Sequence, residues 1–100
     1  MKLNFTHSTH QTTTIPVILL HGLFGSLSNL ANTAKALNND FSTYQLDLRN
    51  HGKSPHSATM TYTKMADDII ELMDNQGIQQ AHIIGHSMGG MLAARFTLNH

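Results

Sequence analysis

A chain of 100 residues is one domain or less. Six Lys and Arg balance six Asp and Glu, and only 12% of the residues are charged. That leaves no electrostatic footprint for nucleic acid or an anionic membrane surface. The absence of cysteine excludes disulfides and thiolate metal sites and fits a cytoplasmic setting.

In chain order, the first ten residues hold no apolar signal-peptide core and read as an edge strand or hairpin arm. Residues 15–20 form a continuous, β-branched apolar run, far too short to span a bilayer, that predicts a buried parallel strand with Pro16 near its start. A glycine-containing loop, His21-Gly22-Leu23-Phe24-Gly25-Ser26, follows. Leu30, Ala31, Ala34 and Leu37 recur at helical spacing over residues 28–37, and Asn38, Asn39 and Asp40 end that helix. Tyr44, Leu46 and Leu48 alternate with Gln45 and Asp47, which predicts a second strand. Residues 49–57 are a polar loop with Gly52 and Pro55. Tyr62, Met65, Ala66, Ile69 and Met73 then mark one face of an amphipathic helix, with Thr61 or Thr63 as cap and Gly77 past its end. Residues 81–84 predict a third strand, and residues 88–98 a third helix buried on most sides. Alternating strands and helices predict an α/β fold: a mostly parallel sheet with helices on both faces.

Ligands bind such sheets beyond the carboxyl ends of the strands, and two motifs fall there. Gly85-His86-Ser87-Met88-Gly89 places a serine in a Gly-x-Ser-x-Gly frame between a predicted strand and a predicted helix, the setting of a nucleophile elbow. The turn is so tight that side chains at positions 85 and 89 would collide, and Gly90 removes a further one. The helix N-terminus favours an oxyanion beside Ser87. The loop containing Gly22 supplies the second half, so the expected oxyanion donors are the backbone N–H groups of Leu23 and Met88.

Other constellations carry less. His21 and His86 belong to the two rim motifs and His51 to the middle loop, with hydrogen bonding as their expected role. His7, His10 and His56 are expected to face solvent. His82 and His86 are four apart, but across strand and turn, so helical zinc spacing fails and no metal is expected. Gly52-Lys53-Ser54 lacks the upstream glycine of a phosphate-binding loop, since Asp47 stands there. Met65, Met73, Met88 and Met91 read as core filling.

The motifs at 21–26 and 84–90, with Asp47-x-Arg49-Asn50-His51-Gly52-x-Ser54 and then Tyr62, Met65, Ala66 and Asp68, resemble the α/β-hydrolases. Within them, the Arg-Asn-His-Gly loop resembles that of the YbfF-type esterases. The resemblance implies hydrolysis of a small acyl ester or acyl thioester through an acyl group on Ser87, without a cofactor. Leu23 and Met88 would hold the oxyanion, Phe24 would help wall the acyl pocket, and the 47–54 loop would be structural. An acyltransferase or carbon–carbon hydrolase on the same scaffold is an alternative. In this fold the catalytic acid and histidine follow the serine, yet only thirteen residues follow Ser87. Residues 1–100 are therefore expected to be the N-terminal half of the domain, inactive alone, with the later strands, cap segment, acid and base absent. A non-catalytic truncated fragment or interaction module is the rival expectation, and the oligomeric state is open.

Overall fold

The apolar run near the start of the chain becomes the centre of a sheet. The computed structural model describes residues 1–9, 15–22, 25–38, 40–86 and 89–93. Its strands are β1 (Phe5–Ser8), β2 (Val17–Leu20), β3 (Thr43–Leu46) and β4 (His82–Gly85), in the spatial order β1-β3-β2-β4. β2 runs parallel to both neighbours, with Val17 opposite Thr43 and Leu20 opposite Gly85. β1 is the expected edge strand, antiparallel to β3, with Phe5 opposite Leu46.

Successive side chains of β2 serve different cores, as a two-residue repeat requires. Val17 and Leu19 pack with Leu30 and Ala34 on one face. Ile18 and Leu20 join Tyr44, Leu46, Met65 and Ile69 on the other. Helices therefore cover both faces, and this is why the run is apolar without alternation. The alternation in β3 does not mark a wet face: Thr43, Tyr44, Gln45 and Leu46 are all buried. β3 also ends two residues earlier than the pattern suggests, because the Leu48 N–H donates to the His21 ring instead of to a strand.

The first helix is split. A 3-10 turn (Leu27–Leu30) precedes α1 (Ala31–Leu37), whose start has no side-chain cap. The tighter turn gives some of the uncapped backbone groups a partner. α2 (Tyr62–Gln76) is better delimited. The Thr61 hydroxyl accepts from Lys64 N–H at 3.1 Å, and Gly77 closes the helix at φ 69°. A side chain at Gly77 would meet nothing within 4 Å, so the dihedral alone favours glycine there. Met65, Ala66, Ile69, Leu72 and Met73 form the buried face of α2.

Two expectations fail at the β4 side. β4 has a neighbour only in β2 among the described residues, so Ile84 is 40% exposed. Residues 89–93 are helical, but this segment is not buried on most sides. Leu92 is fully buried, whereas Met91 is 60% exposed and is not core filling; its Sδ accepts from the Tyr62 hydroxyl. Residues 94–98 of the predicted helix, Met88 and His10 lie outside the described residues. His7 and His56 are exposed as expected, with the His7 ring stacked on Tyr44 at 4.0 Å.

Ile69 is wholly buried between α2 and the sheet, so Ile69→Ala is expected to destabilise the fold by about 2–5 kcal/mol in urea denaturation. Met91→Ala, on the open side, is expected to change it by less than about 0.5 kcal/mol. Equal effects would contradict this division of the core.

Candidate active site

The site is built where β2 and β4 end side by side. Beyond the Leu20–Gly85 pair, His86 N–H donates to the Leu20 carbonyl at 3.1 Å. The Gly89 N–H then donates to the His86 carbonyl at 3.0 Å, and by residue 89 the chain is helical. The reversal is too tight for side chains at its two ends. A Cβ at Gly85 would overlap the Gly89 carbonyl and the Gly90 nitrogen. A Cβ at Gly89 would overlap the carbonyls of Leu20 and His21. Neither glycine has a left-handed φ, so the requirement is one of space. A Cβ at Gly90 would lie 3.3 Å from the Gly85 carbonyl oxygen, tight but without overlap.

The same contact brings the two sequence motifs together, since Gly89 rests on the strand end that leads into Gly22. Gly25 N–H donates to the Gly22 carbonyl at 3.0 Å. The expected nucleophile Ser87, the expected donors Leu23 and Met88, and the candidate pocket residue Phe24 lie outside the described residues. Their flanks, Gly22, Gly25, His86 and Gly89, are described and share one rim.

His21 is fully buried beneath this rim. Leu48 N–H donates to its Nε2 at 3.0 Å, and its Nδ1 lies 2.7 Å from the Gly22 carbonyl oxygen. A backbone N–H only donates and a carbonyl only accepts, so the ring is the neutral tautomer with its proton on Nδ1. Both nitrogens are occupied, which removes His21 as a general base. Burial pushes its pKa below 6.5, reinforced by the facing His51 ring and opposed by the Gly22 carbonyl and Asp47. The two imidazoles lie 4.9 Å apart.

The loop after β3 is organised by buried polar groups. The Asp47 carboxylate accepts from Asn4 Nδ2 at 2.8 Å and Lys53 N–H at 3.0 Å. Ser54 Oγ donates to the Asp47 carbonyl and accepts from Asn4 N–H. Gly52, at φ 52°, lies against the Asp47 carboxylate, where a Cβ would overlap it. Asn50 also has a left-handed φ, 65°, and its side chain accepts from Ser57 N–H. His51 Nδ1 donates to the Arg49 carbonyl at 2.9 Å.

Arg49 and Asp68 form a buried two-pronged pair, Nε to Oδ2 at 2.7 Å and Nη2 to Oδ1 at 2.8 Å. The third arm of the guanidinium donates to the Thr59 carbonyl, and the Met1 amine lies 2.9 Å from Asp68. Asp68 holds the guanidinium pKa above its usual range. Removing one partner of such a pair costs about 3–5 kcal/mol, because the other charge is left buried. Spacing signals only that Asp68 needs a buried partner, since it falls on the stripe of Met65, Ile69 and Leu72; it does not point to Arg49. Asn4 carries no such signal, since its contacts span more than forty positions.

Gly85→Ala and Gly89→Ala are each expected to abolish folding or lower the melting temperature sharply, because backbone must move. Gly90→Ala should be tolerated much better, and thermal unfolding of the three variants checks the ranking. The depressed His21 pKa also predicts a pH effect. Between its folded value and 6.5 the unfolded chain binds more protons than the folded one, so stability is complete above 6.5 and is lost as pH falls through the folded value. Melting temperatures from about pH 7 down to about pH 5 should fall, and less steeply in His21→Gln.

Residues 15–100 match the family described as alpha/beta hydrolase fold. The chain is 46% identical to Esterase YbfF of Escherichia coli over 97% of its own length and 39% of that protein. It is 40% identical to a probable alcohol acetyltransferase of Saccharomyces cerevisiae, over 85% of this chain and 26% of that one. Among solved structures, a marine microorganism esterase superimposes with a TM-score of 0.93 at 42% identity, covering 99% of this chain and 37% of the esterase. The chain thus spans less than half the length of each of these relatives. With its mostly parallel sheet, its glycine-bounded turn and this match, the chain belongs to the α/β-hydrolase fold family.

Proposed function

We propose that this sequence carries the nucleophile half of a serine hydrolase acting on small acyl esters or thioesters. The observation that supports it most is the side-chain-free contact of Gly89 with the carbonyls of Leu20 and His21. It sets the turn after β4 against the loop after β2, the two segments that an elbow and an oxyanion hole require. In this reading Ser87 Oγ attacks the acyl carbonyl carbon. The oxyanion is received by the N–H groups of Leu23 and Met88, each typically worth about 3–4 kcal/mol in the transition state. The alcohol or thiol departs, and water releases the acid from the acyl-serine. Phe24 lines the acyl pocket. No cofactor takes part.

The general base and its orienting acid come from outside these hundred residues. His21 cannot serve, since Leu48 occupies its acceptor nitrogen. The acyl-serine could also pass to an alcohol, and similarity to a protein named a probable alcohol acetyltransferase supports keeping that second acceptor. Product analysis in water–ethanol mixtures separates the two.

An organophosphonate is expected to label Ser87 stoichiometrically in the complete protein, read by peptide mass spectrometry. Ser87→Ala should remove the label and lower kcat by at least about 10⁴-fold. Label on another residue with Ser87 untouched would overturn the assignment. The hundred-residue chain alone should not turn over a p-nitrophenyl ester measurably.

A further inference from the structure

The segment before β1 is tied down at several points. Met1 packs against the core that holds Met65 and Ile69, Leu3 is buried, and Asn4 binds Asp47 and Ser54. The Met1 amine is thereby held over one turn of α2, where Asp68 and Glu71 stand three positions apart and are neighbours on the helix surface. The ammonium lies 2.9 Å from Asp68 Oδ1 and 3.6 Å from Glu71 Oε1. Asp68 Oδ1 also accepts from Arg49 Nη2 at 2.8 Å. Two cations, the ammonium and Arg49, thus balance two carboxylates, Asp68 and Glu71. The Asp68 side chain is 1% exposed, so water cannot replace a lost partner there. The second oxygen of Glu71 is buried without a hydrogen bond among the described residues, which makes the charge of the amine matter more. The bond to Asp68 holds the amine pKa above its usual 8.0, although desolvation opposes it.

We propose that Asp68 and Glu71 form a seat for the free α-ammonium of Met1, so that acylation or extension of this amine weakens the fold. Acylation exchanges one N–H for a bond to the acyl carbon, and the leaving group and the proton depart. The neutral amide that remains leaves two carboxylates facing one guanidinium. A peptide extension removes the charge from the same place. The charged groups facing the amine are Asp68, Glu71 and, across Asp68, Arg49. The loss therefore falls on the buried pair that fixes the loop after β3 to α2. None of this depends on Ser87 or on the hydrolase reading.

The complete protein tests this in two ways. In a pulse of N-hydroxysuccinimidyl acetate near neutral pH, read by peptide mass spectrometry, the Met1 amine should be acetylated at least about tenfold more slowly in the folded protein than in urea, because reaction waits for the contact to open. Lys2, exposed beside it, should react at nearly the same rate in both states. Separately, a Gly-Ser pair placed before Met1 should lower Tm by about 3 °C or more, and the same pair at the C-terminus should not. In Glu71→Gln, where Arg49 alone balances Asp68, the N-terminal extension should lower Tm by less than half as much. A Met1 amine acetylated equally fast in both states would overturn the proposal. So would an extension that leaves Tm unchanged, equal losses with and without Glu71→Gln, or a mature chain found by N-terminal sequencing to start elsewhere than Met1.

Discussion

The structure depends on a contact made without side chains. Gly89 lies directly on the carbonyls that end β2, and Gly85 lies under the carbonyl of Gly89. A methyl group at either place would push the helix beginning near residue 89 away from the sheet. Because β2 and β4 are parallel neighbours in register, their exits lie side by side. The turn can then be tight only if backbone meets backbone. Space is the constraint, and glycine is the residue that meets it.

Beneath that contact lies a layer of buried polar groups that does little for net stability and much for local order. A buried ion pair such as Arg49–Asp68 roughly breaks even against apolar replacements. Its two-pronged geometry and the extra bond to Thr59 nevertheless fix the loop after β3 to α2. Asp47, Asn4 and Ser54 fasten the same loop to the chain leading into β1. His21 then joins the loop after β3 to the loop after β2 through both ring nitrogens. A loop held at this many points can present backbone groups in a set direction, which is what preorganised electrostatics demand.

The β4 side is built differently. β2 and β3 are buried on both faces, whereas Ile84 and Met91 remain substantially exposed and β4 has one neighbour among the described residues. The chain spans 39% of the length of the E. coli esterase it resembles, and its exposed apolar side chains lie on the side where the described strand order ends.

Much of this was legible in the residues themselves. Hydrophobic period located β2, α2 and β4 within two or three positions, since period is a local property. Local capping chemistry marked the ends of α2 at Gly77 and at one of two threonines, Thr61 or Thr63, of which the structure selects Thr61. The Gly-x-Ser-x-Gly and His-Gly motifs identified the two rim segments, because their spacing reflects turns of fixed size. Burial on both faces of β3, its early end at Leu46 and the exposure of Met91 were not legible. Each depends on which strands are neighbours. The tautomer of His21, the partner of Asp68 and the role of Asn4 came only from tertiary structure. Their hydrogen bonds join positions 19 to 50 residues apart, and no short-range pattern encodes contacts that folding alone creates.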